Sequence, residues 1–122
     1  MKGTTPTASQ KRYHDSLASH VGCIACRHDY DEFNGYVSIH HMDGRTKPDA
    51  HYLVLPLCAG HHQDGYGQPG MIAVHPYKAR FESRYGKQIR LLAECVNRLA
   101  EQGIDVPPRV RELTGLHECA PT

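Results

Sequence analysis

The chain has 122 residues, enough for one domain with a modest core, since 39% are apolar, Trp is absent and only two Phe occur. Lys and Arg number 14 against 13 Asp and Glu, and the resulting +1 excludes a protein that coats nucleic acid by bulk charge. No apolar stretch reaches the length of a membrane span or resembles a secretory signal, which implies a cytoplasmic protein; its five cysteines, an odd number, are then expected as free thiols and metal ligands rather than disulfides.

Residues 1–8 are small and polar and read as a loose N-terminus. Ser9 is positioned to cap a helix running to about Ser19, with Tyr13, Leu17 and Val21 turned inward. Cys23 to Cys26 reads as a tight knuckle and Asp29 to Gly35 as a polar loop. Tyr36 to His40 alternates and is rich in strand formers, Asp43-Gly44 is a turn signal, and Tyr52 to Leu55 reads as a second strand ended by Pro56. A helix carrying His61 and His62 is expected next, stopped by the glycine-rich segment from Asp64 to Gly70. From His75-Pro76 a long helical run follows, with Phe81, Tyr85, Ile89, Leu92, Val96 and Leu99 as its inward stripe and Gly86 as a kink. Gly103 opens a tail, 103–122, with room for one short helix.

Cys23-x2-Cys26 and Cys58-x2-His61 are half-sites of the kind that close a tetrahedral zinc site. His62 could replace His61 as the fourth ligand, and the spacing allows either. The alternative for Cys58 is a small buried residue after an apolar strand. Cys95 falls in the helix stripe and reads as core, and Cys119 lies in the tail. His40 and His41 are strand neighbours, so their rings point to opposite faces. One can hold a metal ion while the other serves as general base toward a water. His75, thirteen residues past His62, is a candidate third ligand, whereas His14, His20, His28 and His117 read as surface residues. Arg80, Arg84 and Lys87 fall on one helical stripe, and Arg45 and Lys47 lie in the hairpin loop. These five are candidate phosphate contacts. No base-reading pattern accompanies them.

Ile39-His40-His41-Met42, a hairpin, and then Leu57-Cys58-Ala59-Gly60-His61-His62 resemble the ββα-metal motif of HNH nucleases. The longer string from Val37 to Pro48, with Leu55 to Gln63 and Val74-His75-Pro76, resembles the bacteriophage Ref family of RecA-dependent recombination-enhancement nucleases, over roughly Gly22 to Leu99. The resemblance implies an α+β fold, a small ββα-metal core with a zinc knuckle and flanking helices, filling residues 9–102. It implies a metal-dependent endodeoxyribonuclease, encoded by a phage or prophage, acting as a monomer on recombination intermediates with DNA and a RecA filament as partners. His41 would be the catalytic base, His40, His62 and His75 would hold the catalytic ion (Mg2+, Mn2+ or Zn2+), and Cys23, Cys26, Cys58 and His61 would hold a structural Zn2+.

Two departures stand out. The middle Asn of the HNH motif has no counterpart, since the only asparagines are Asn34 and Asn97, which leaves Asp49 or His51 to take its place. The long basic N-terminal extension of Ref proteins is reduced here to a short segment with Lys2, Lys11 and Arg12. The missing Asn and the near-neutral charge favour the alternative of a non-catalytic zinc module that binds DNA or a recombination protein.

Overall fold

The computed structural model describes residues 4–116, so Cys119 and His117 lie outside the described residues. Thr7, rather than Ser9, caps the first helix, α1 (Ala8–Ser16). Its hydroxyl accepts from the Gln10 amide at 3.1 Å while the Gln10 side chain accepts from the Thr7 amide at 2.8 Å. This reciprocal pair satisfies two donors that the first helical turn leaves open. A π-helical turn, Leu17–Val21, continues α1 and carries Leu17 and Val21 into the core beside Tyr13, as their spacing requires.

The Cys23 knuckle extends into a true helix, α2 (Ile24–Tyr30), because Cys23 acts as its N-cap: its sulfur accepts from the Cys26 amide at 3.3 Å. Asp31 ends it in a left-handed conformation. The polar loop thus starts later than the sequence suggests.

Strands β1 (Val37–His41) and β2 (Val54–Cys58) form an antiparallel pair, with His40 opposite Leu55 and His41 opposite Val54. The second strand starts at Val54, not Tyr52, and runs through Pro56 instead of stopping there. A two-stranded sheet tolerates proline where the ladder needs no donor. All five residues of β2 are buried, so this strand is the floor of the core. Helix α3 (Ala59–His62) follows directly.

The long helix expected from His75 onward is two helices, α4 (Lys78–Tyr85) and α5 (Gln88–Glu101). Gly86 separates them at φ 112°, a conformation that other residues rarely adopt. The break re-registers the apolar stripe: α5 buries Leu91, Leu92, Cys95, Val96 and Leu99, whereas Ile89 is 39% exposed. Helix α5 packs on β2, on the π-turn and on α6 (Pro108–Thr114). Among the described residues no helix is long and apolar enough to cross a membrane.

Helix α3 has only one turn and is fixed by close packing. A Cβ on Gly60 would lie 2.5 Å from the Gly67 Cα and 2.7 Å from the Met71 sulfur. Gly60→Ala is therefore expected to cost about 1–3 kcal/mol, the usual range for overpacking. A thermal melt that matches the parent chain would contradict this account of the α3 turn.

Candidate metal centre and active site

Two clusters of metal-ligating side chains meet at the end of the hairpin, and α3 supplies one residue to each. The first joins Cys23 and Cys26, at the start of α2, to Cys58 at the end of β2 and His61 in α3. All four are buried. His61 Nδ1 lies 3.4, 3.6 and 3.2 Å from the sulfurs of Cys23, Cys26 and Cys58, and the sulfurs of Cys26 and Cys58 are 3.7 Å apart. Ordinary Zn–S and Zn–N bonds in a tetrahedron require roughly 3.5 Å between S and N and about 3.8 Å between sulfurs. The four donors therefore fit an ion such as zinc. The Cys58 thiol is pulled down, first by the Cys23 thiol and then, against burial, by His61. That direction favours the thiolate, the form that ligates.

Of the two adjacent histidines, His61 is the one that joins the cysteines. A second layer holds it there. Its Nε2 donates to the Asp29 carboxylate at 2.8 Å, which leaves the Nδ1 lone pair facing the sulfurs. The same carboxylate accepts from the Tyr85 hydroxyl at 2.6 Å and from two nitrogens of Arg84 at 2.7 and 3.1 Å. Burial works to raise the Asp29 carboxyl, and the hydrogen bonds from Tyr85, His61 and Arg84 outweigh it. Asn34 reaches the Cys26 sulfur at 3.7 Å.

The second cluster is His40 from β1, His62 from α3 and His75 from the segment before α4. Their ring centroids form a nearly equilateral triangle with sides of 5.2, 5.1 and 5.4 Å. His75 arrives because the chain folds back on α3: the amides of Val74 and His75 donate to the carbonyls of His61 and His62 at 2.9 and 3.1 Å, and the Asp64 amide donates to His75. The free ring nitrogens are set by neighbours. Gln88 Oε1 accepts from His40 Nε2 at 2.8 Å, and the Gln88 amide donates in turn to Glu82 at 3.1 Å. Ser38 bonds His62 Nδ1 at 2.7 Å. His40 Nδ1 and His62 Nε2 are thus available to an ion. Burial pushes His40 down to about 4 and, with His75, lowers His62. Both are held as neutral imidazoles, the ligating form.

His41 stands outside this triangle. As strand alternation requires, it takes the other face of β1, where its Nε2 lies 3.1 Å from His51 Nδ1. Burial, Arg45 and His51 push it down to about 4. Of the two residues considered for the missing Asn, Asp49 is held by Arg109 through two bonds of 3.1 and 2.9 Å, and His51 is the one that touches His41. His14, expected at the surface, is half-buried here, with Nε2 2.7 Å from the His51 carbonyl.

Residues 6–100 match the family described as recombination enhancement, RecA-dependent nuclease. The chain belongs to that family. Membership in the RecA-dependent nucleases makes nuclease action in recombination, coupled to RecA, the general function to be explained, and both clusters lie inside the matched region.

Arg45 and Lys47 are exposed in the loop between the strands. Arg80 lies over the Tyr77 ring at 5.2 Å, Arg84 is paired with Asp29, and Lys87 is 3.6 Å from Glu82. The break at Gly86 removes Lys87 from the face of α4 shared by Arg80 and Arg84, so the three form no single helical stripe. Sequence reading gave no site role to Asp29, Tyr85, Ser38 or Gln88, placing Tyr85 in the apolar stripe and Asp29 in a loop. None has a spacing signature, since each reaches its histidine through tertiary contact.

A chain purified with zinc is expected to retain the metal, and Cys58→Ser to lose it together with several degrees of melting temperature. Asp29→Ala should weaken zinc binding about 10- to 100-fold in a chelator competition. Unchanged affinity would mean that the carboxylate does not orient His61.

Proposed function

We propose that this family member is a metal-dependent DNA endonuclease of the HNH type that cuts recombination intermediates in the presence of RecA. The observation that carries the reading is the division of labour at β1. His40 faces His62 and His75, while its neighbour His41 faces away from them with a ring kept neutral. His40, His62 and His75 would hold the catalytic ion, and Cys23, Cys26, Cys58 and His61 a structural zinc. Three imidazoles are a donor set that would hold a divalent ion without enclosing it completely. An ion bound there supplies Lewis-acid stabilisation of the charge that develops on phosphate and on the leaving 3′ oxygen. His41 removes a proton from water, the water oxygen attacks phosphorus in line, and the bond to the 3′ oxygen breaks. Arg45 and Lys47, with Arg80, Arg84 and Lys87, provide phosphate contacts that carry no sequence information.

The near-neutral charge of +1 and the missing Asn favour a second reading, a zinc module that binds DNA or a recombination protein without cutting. Supercoiled plasmid and RecA-paired duplex, each with Mg2+ or Mn2+ and with or without chelator, separate the two. Cutting that a chelator stops supports the nuclease, whereas binding without cutting supports the module.

His41→Ala is expected to lower the cutting rate by about 10² to 10⁴, the usual contribution of a general base, while zinc content and melting temperature stay unchanged. Wild-type cutting by that variant removes the base assignment. Arg45→Ala and Lys47→Ala should each weaken DNA binding across all sequences and reduce the salt slope by about 1. An unaltered slope would take the hairpin loop out of the DNA contact.

A further inference from the structure

His51 is only 3% exposed and lies in the loop between β1 and β2. Both of its ring nitrogens and its backbone carbonyl are engaged. Nε2 lies 2.8 Å from the Thr4 carbonyl and 3.0 Å from the Thr4 hydroxyl, and Nδ1 lies 3.1 Å from His41 Nε2. The His51 carbonyl accepts from His14 Nε2 at 2.7 Å. Thr4 is itself tied down, because its amide donates to the Arg45 carbonyl at 3.0 Å.

These contacts fix proton positions. A carbonyl oxygen can only accept, so the close Thr4 carbonyl requires the His51 proton on Nε2. In the neutral ring Nδ1 is then an acceptor, and the His41 Nε2–H donates to it. One edge of the His41 ring is thereby held, and its Nδ1 keeps the lone pair.

We propose that His51, clasped by the backbone of Thr4, is the positioning residue for His41, which makes the segment before α1 part of the catalytic architecture. The inference rests on the reading of His41 as the base. It gives His51 the work that the motif's missing Asn would otherwise do, and it adds a requirement no Asn would have: a specific tautomer, set by a residue 47 positions away.

The test has two readouts on the full-length, zinc-loaded chain. Two-bond proton–nitrogen spectra read ring tautomers directly, and both His41 and His51 are expected with the proton on Nε2. Single-turnover cutting of RecA-paired duplex is expected to fall about 10- to 100-fold in His51→Ala, as for loss of an orienting partner, with DNA affinity and zinc content unchanged. His51→Asn, whose side-chain oxygen can accept from His41 near the old Nδ1 position, is expected to recover to within about tenfold of wild type. The inference is overturned by a His51 proton on Nδ1, by wild-type cutting in His51→Ala, or by Asn and Ala variants that are equally slow. Wild-type cutting by His41→Ala overturns the base reading and this role with it. Wild-type cutting by His51→Ala beside an inactive His41→Ala overturns the role of His51 alone.

Discussion

The hydrogen bond between His61 Nε2 and the Asp29 carboxylate is the contact on which the rest of the site depends. Helix α3 is a single turn, so His61 and His62 cannot rotate independently. Successive helical residues point about 100° apart, so fixing one ring toward the cysteines turns the next toward β1. Asp29 thereby orients a residue it does not touch. The carboxylate is held in turn by Arg84 and Tyr85 from α4, which connects the cysteine cluster to the helix that follows the second cluster. A structural ion and a reactive one would share a single rigid turn of backbone.

The hairpin applies the same logic with a different period. Strand alternation sends His40 and His41 to opposite faces, and each ring meets a different set of neighbours. Gln88 orients the first and His51 approaches the second. Neither outcome needs a loop to move. His40, His41, His61 and His62 sit on short regular elements, and His75 is tied to α3 by backbone hydrogen bonds from the segment before α4.

The residues of the two clusters were legible because their chemistry is rare and their spacing is local. Cys23-x2-Cys26, Cys58-x2-His61 and the His40-His41 pair stand out in any reading of the chain. The choice between His61 and His62 was not legible. It depends on the packing of Gly60 against Gly67 and on Asp29, both tertiary facts. The orienting layer was illegible for the same reason: a glutamine or a serine carries no signal until the fold brings it within 3 Å of an imidazole. Gly86 was legible as a kink, but an apolar stripe alone does not reveal that the helix ends and restarts there. Spacing also suggested an Arg80, Arg84, Lys87 row that assumed one continuous helix.

Pro56 has a bearing on association between chains. A two-stranded sheet has two edges, and an open edge is a template on which a foreign strand can add. Here β2 is buried along its full length and contains a residue with no N–H to offer. An incoming strand would meet a broken ladder at that point, so the proline that ordinary propensity would exclude from a strand also acts as a guard against runaway β-pairing.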